Sequence, residues 1–145
     1  MRTQYCTFRI ADVLFGVDVL MVQEIIQFQE MTEVPKSPDV VTGLVNLRGQ
    51  IVTALDLHAR LGLPPAEEGA TEQRVNIVLC TEGGAVSLLV DAIGDVLSVN
   101  PELDEPPPPT LDPRTRDLLV KVCKLEDELL LVLDAEKTVN LTPTS

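Results

Sequence analysis

The sequence predicts a mostly β protein built of two similar small units, with only short helices among the strands. Three observations carry this. Apolar residues recur in short runs bounded by Gly, Pro, Asn and Asp, and many of these runs alternate like half-buried strands. Aromatic residues are 3% of the chain and Trp is absent, so the core must be Val, Leu and Ile, which suit a pleated surface. The third observation is an internal repeat. Strand, turn, strand leads to Val17-Asp18-Val-Leu and again to Val90-Asp91-Ala-Ile, an offset of 91 − 18 = 73 residues. Ala54-Leu-Asp56-Leu answers Val132-Leu-Asp134-Ala, an offset of 134 − 56 = 78. Short strands need closure to avoid open edges, and a five-stranded SH3-like barrel supplies it. The expected architecture is two SH3-like five-stranded β-barrels packed together, as two pseudo-repeated subdomains of one domain over residues 1–145. One large sandwich is the alternative.

The elements follow in order. Tyr5 to Ile10 alternates as a strand, Ala11-Asp12 turns, and Val13 to Val17 returns. Asp18 to Met21 suits a helical turn. Val22 to Phe28 is a strand with Val22, Glu24 and Ile26 on one face. Gln29 to Lys36 is a loop. Ser37, Pro38 and Gly43 read as cap, first position and stop of a short helix. Leu44 to Leu47 and Ile51 to Leu57 are strands joined at Gly49, where positive φ is cheap. His58 to Leu61 is one helical turn closed by Gly62. Pro64 to Gln73 is an acidic loop. Arg74 to Cys80 and Ala85 to Val90 form a hairpin about Glu82-Gly-Gly84. Asp91 to Gly94 breaks the pattern and Asp95 to Val99 resumes it. Pro101 to Pro113, with four consecutive prolines from Pro106, is a stiff surface connection. Asp117 to Leu125 and Leu129 to Leu133 make the last hairpin, and Ala135 to Val139 a closing helix.

Charge narrows the function. Eleven basic against twenty-three acidic residues give a net charge of −12, which excludes a phosphate-backbone footprint and disfavours an anionic membrane. Protein partners remain open. The N-terminus enters a strand pattern at once, with no signal-peptide pattern, and no apolar run reaches membrane-spanning length. Cys6, Cys80 and Cys123 are odd in number, widely spaced and set in apolar runs, so they read as reduced core thiols of a cytoplasmic protein.

Chemistry is thin. His58 has no second His or Cys at ligand spacing, and reads as a surface or half-buried residue. The acidic runs at 67–68, 102–105 and 126–128 read as solvated faces. Gly83-Gly84 lacks the following helix and Lys of a phosphate loop. The expectation is no catalytic residue, no metal and no cofactor. Arg48, between an apolar strand and a glycine, is the odd residue: a turn arginine can aim its planar fork at a carboxylate.

Gly43-Leu-Val-Asn-Leu-Arg-Gly49, followed by Ile51-Val and Leu55-Asp-Leu57, resembles the signature of CheW-type chemotaxis coupling proteins. Phe15-Gly-Val-Asp18, Val22-Gln-Glu-Ile25, Val34-Pro35, Val90-Asp91, Asp95-Val-Leu97 and Leu133-Asp134 agree in order, so the resemblance runs from about Tyr5 to Leu141. It implies the same pair of barrels and a non-enzymatic adaptor that couples chemoreceptors to the histidine kinase CheA. It also implies a groove between the barrels that docks the cytoplasmic hairpin tip of a receptor. By position the receptor-facing residues are Val22, Glu24, Ile26, Arg48 and Gly49, with Glu24 the expected partner of Arg48. Gly43 and Asn46 belong to the structural motif. Val40 and Val41 are the candidates for contact with the CheA regulatory domain, although both also suit a core. Ser87, Lys121 and Cys123 stand where many members carry glycine. The alternative function is a decoy or inhibitor that binds one partner and does not bridge.

Overall fold

The computed structural model describes residues 3–27, 31–35, 38–65 and 74–141. Eleven strands and three short helices alternate in it: β1 Thr3–Ile10, β2 Val13–Asp18, β3 Val22–Gln27, β4 Val41–Leu47, β5 Gln50–Asp56, α1 Leu57–Arg60, β6 Val75–Thr81, β7 Gly84–Val90, β8 Ala92–Val99, β9 Asp104–Glu105, α2 Pro113–Arg116, β10 Leu119–Lys124, β11 Leu129–Leu133 and α3 Ala135–Val139. One sheet has the order β8-β1-β2-β11-β10-β9, the other β3-β6-β7-β5-β4. The protein is mostly β with two packed units, as expected. The pairing is that of two sheets rather than two closed barrels.

Burial explains the packing. Phe8, Ile10, Phe15 and Val17 of the first sheet share one core with Leu55, Ile77, Leu79, Leu88 and Val90 of the second. Phe8 and Phe15 are paired in register and stack at 6.2 Å between centroids, an arrangement worth about 0.5–1.5 kcal/mol beyond area burial. The opposite face of the first sheet is buried too, by Tyr5, Leu14, Val99, Cys123, Leu130 and Val132. All six come from strands of that same sheet, so it curls over its own interior. Val45, Val52, Ala54, Val78 and Leu89 are buried in the second sheet without joining the shared core. Strands with two buried faces read as continuous apolar runs, as Ile77 to Leu79 and Leu88 to Val90 do.

The two ladders repeat each other with their hairpins exchanged. β1 and β2 share a sheet with β8, β10 and β11, whereas β6 and β7 share one with β3, β4 and β5. Each sheet holds one parallel pair, Phe15 beside Leu131 and Val86 beside Thr53. The offsets are therefore 86 − 15 = 71 for the hairpins and 131 − 53 = 78 for the later strands. The β-bulge between Val41 and Gly43 recurs between Leu119 and Lys121, again 78 apart. The offset of 78 read from the aspartates agrees, but Asp18 and Asp91 are not counterparts. The hairpin turns at Ala11-Asp12 and Glu82-Gly83 set 71, which places Asp18 opposite Leu89. A 3-10 turn, Val19–Met21, carries the chain from the first sheet to the second, and a bend at Asp91 carries it back.

Several local expectations change. Residues 38–42 hold a turn at Asp39-Val40 and the start of β4, with no helix. Gly43 is a buried strand residue, and a Cβ there would sit 2.8 Å from the Thr32 carbonyl oxygen. The bridge from Thr32 to Leu44 explains this closeness, with both backbone bonds at 2.8–2.9 Å. β8 starts at Ala92, without the expected break up to Gly94. The proline-rich connection carries a 3-10 turn Pro101–Leu103, β9 and α2. Cys6 and Cys123 are buried thiols, but Cys80, near the hairpin end of β6, is exposed. Phe28, Ser37 and Glu67-Glu68 lie outside the described residues.

Candidate functional site

Two hairpin turns among the described residues carry non-glycine residues in the left-handed region: Ala11-Asp12, at φ +50° and +66°, and the β4–β5 turn. Arg48 has φ +52° and Gly49 φ +88°, two successive left-handed residues that match the right-handed twist of a two-residue hairpin. Glycine takes such a φ freely. Arginine gives up about 1–2 kcal/mol there. The Asn46 side-chain oxygen accepts the Gly49 N–H at 3.0 Å and closes the turn.

That turn aims Arg48 at β3. Its two terminal nitrogens donate to Glu24 Oε2 at 3.0 Å and Oε1 at 2.8 Å. The geometry is a planar fork on a carboxylate, which fixes direction as well as charge. The Arg48 side chain is 79% exposed and that of Glu24 only 17%. β3 and β4 are the two outer strands of their sheet, so the pair spans from one edge to the other.

β3 alternates as the pattern requires. Val22, Glu24 and Ile26 are half-buried, while Gln23, Ile25 and Gln27 are exposed. Val22 packs on the shared core. The apolar side chains that reach solvent nearby in the chain are Leu20 in the crossover, Ile25 on β3 and Ile51 after the turn. Periodicity alone would have found Ile25, since it selects the face opposite Glu24. Val40 and Val41 are half-buried against the shared core, and the Val40 carbonyl accepts the Asp56 N–H at 2.8 Å.

The expected open trough between the units takes another form. The junction is filled by the shared core, because the hairpins are apolar on both faces. An open recess of about 360 Å³ lies instead against the first sheet and the crossover at Met21.

A buried polar cluster escaped the sequence reading. His58 is buried, not half-exposed: Nδ1 lies 2.7 Å from the Pro64 carbonyl and Nε2 2.8 Å from both Asp91 carboxylate oxygens. Arg74, also buried, donates to Asp56 Oδ1 at 2.7 Å and lies 3.5 Å from Asp91. Apart from Asp56 and His58, these four side chains lie 16 to 35 residues apart, a separation no local pattern reveals.

The three glycine replacements have partners. The Ser87 hydroxyl donates to Asn76 Oδ1 at 2.7 Å, in the interior of the second sheet. Lys121 donates to Asp104 at 2.8 Å, and Cys123 Sγ lies 3.3 Å from the same carboxylate. The Lys121 hydrogen bond holds Asp104 below the usual carboxylate range. Burial pushes the Cys123 thiol up to about 11. Asp104 and Glu128 are thus not simply solvated acids, since Glu128 pairs with Arg9 at 2.8 Å. Among the described residues no group of three His, Cys, Asp or Glu side chains is arranged to hold a metal ion. No described helix is long and apolar enough to cross a membrane.

Residues 4–142 match the family model described as a CheW-like domain. The chain belongs to the CheW family. It is 34% identical to the probable chemotaxis protein CheW of Rhizobium etli, over 89% of this chain and 82% of that one. It is 31% identical to the chemotaxis protein CheW of Klebsiella aerogenes, over 94% of this chain and 81% of that one. Among solved structures it resembles the scaffolding protein TtCheW of Thermoanaerobacter tengcongensis, with a TM-score of 0.81 and 28% identity over 92% and 90% of the two chains. CheW proteins are scaffolding adaptors, so this chain is a chemotaxis-type scaffold and not an enzyme.

Proposed function

We propose that this CheW-family chain is a cytoplasmic, non-enzymatic adaptor that couples chemoreceptors to the histidine kinase CheA in a chemosensory array. The observation that carries the reading is the Arg48–Glu24 pair. A charged side chain held out in solvent on a left-handed backbone is costly for stability alone, and such strain gathers at working sites. Arg48 presents N–H donors beyond the two engaged by Glu24, and these suit carbonyls or carboxylates of a docked helix.

On this reading the cytoplasmic hairpin tip of the receptor docks over Val22, Glu24, Ile26, Arg48 and Gly49. Leu20, Ile25 and Ile51 supply exposed apolar area near the same elements. The CheA regulatory domain contacts the outer edge of the second sheet at Val40 and Val41, which border the β4 edge. Gly43 and Asn46 keep the edge and turn in shape.

The test is assembly. Receptor tip and CheA regulatory domain are mixed with the protein and passed through a sizing column. One complex holding all three supports coupling. Capture of only one partner replaces coupling with the single-partner decoy.

A further inference from the structure

The repeat in the ladders gives each residue of one sheet a counterpart in the other. With the offsets 71 and 78, Thr3 answers Arg74, Asp18 answers Leu89, Asp134 answers Asp56 and Glu136 answers His58. In the second sheet the position is filled. Arg74 is 5% exposed, and its guanidinium lies on Asp56 Oδ1 at 2.7 Å and the Leu89 carbonyl at 3.3 Å. In the first sheet Thr3 is too short to do this, and the recess of about 360 Å³ opens at the same place.

The acid that would hold the cation is nonetheless kept. Asp56 caps α1 by accepting the His58 N–H, and Asp134 caps α3 by accepting the Lys137 N–H. Each cap also donates its own N–H to the carbonyl of the residue just before the hairpin that leads into it, Val40 or Leu118. Asp134 lines the recess together with Asp18 and Glu136. Among the described residues neither Asp18 nor Asp134 has an ion-pair partner. Glu136 accepts the Glu82 N–H. Lys121 also lines the recess, but its charge is met by Asp104 at 2.8 Å.

We propose that this recess receives an arginine side chain from a partner protein, as the counterpart position receives Arg74 from within the chain. The carboxylates complement a guanidinium, Met21 and Val132 border its stem, and the internal duplicate shows the fit to Asp56. This surface is separate from the Arg48 turn and stands without the receptor or kinase assignment.

The probe is N-acetyl-arginine amide, titrated into the ¹⁵N-labelled full chain, with N-acetyl-lysine amide as control. Saturable shifts at Thr3, Asp18 and Glu136 are expected, with the lysine amide at least fivefold weaker. Asp134→Asn, which keeps a capping side chain, weakens binding at least tenfold. Thr3→Arg abolishes it by filling the recess from within, while the dispersed spectrum of the folded chain persists. Should Thr3→Arg lose that dispersion, Asp18→Asn replaces it and is expected to weaken binding severalfold. Three results overturn the proposal: no saturable shift, equal response to both amides, or undiminished binding in Asp134→Asn.

Discussion

Arg48 and Glu24 tie together the two outer strands of the second sheet, through a two-pronged ion pair at 3.0 and 2.8 Å. Its energetic weight is small, because the arginine is 79% exposed. Exposed pairs contribute about 0–1 kcal/mol. Replacing Arg48 by Gly removes the pair but also relieves a left-handed arginine, worth about 1 kcal/mol. Arg48→Gly is therefore predicted to melt within about 4 °C of the wild type, by near-UV circular dichroism. A collapse of the fold would make Arg48 a structural residue.

Gly43→Ala is predicted to cost about 1–3 kcal/mol in urea unfolding. The added methyl meets a backbone oxygen at 2.8 Å, which cannot swing aside like a side-chain tip. Gly83→Ala meets nothing within 4 Å, and serves as the neutral control.

Arg74→Met is predicted to cost about 3–5 kcal/mol, because it leaves Asp56 and Asp91 without their guanidinium partner beside the core. The measurement is again the urea midpoint. A change below about 1 kcal/mol would show that the cluster is wetter than its geometry indicates.

Acid should expose the Lys121–Asp104 pair. A carboxyl held below its usual range in the fold stabilises above that range, and the contribution fades as pH falls through its folded value. Asp104 is such a group. Lys121, raised chiefly by the same hydrogen bond, keeps its contribution until pH rises beyond the ordinary ammonium range. The urea midpoints of wild type and Lys121→Met are thus predicted to differ most near neutral pH and to converge below about pH 3.

Local patterning made the hairpins legible. Alternation set the face of Val22, Glu24 and Ile26, and the closing helix expected over Ala135 to Val139 coincides with α3. The Arg48–Glu24 pair was reachable through the family resemblance; the turn alone shows an arginine able to aim at a carboxylate but does not name which one. Gly43 was misread because Ser37 and Pro38 mimic a helix start, while the cause of the glycine is a backbone contact at Thr32. β9 and α2 hid in a proline-rich stretch, since two ladder residues and one helical turn leave no period to detect. His58 looked solitary because its acid comes from the other half of the repeat, 33 residues away. The hairpin exchange was invisible for the same reason: strand strength is local, but the choice of neighbour is not.

The most direct test is receptor-dependent CheA kinase activity in reconstituted arrays, comparing wild type with Arg48→Glu at matched folded concentration. Arg48→Glu is predicted to lose kinase activation while keeping its far-UV spectrum and melting point. Full activation by the folded Arg48→Glu protein would contradict it.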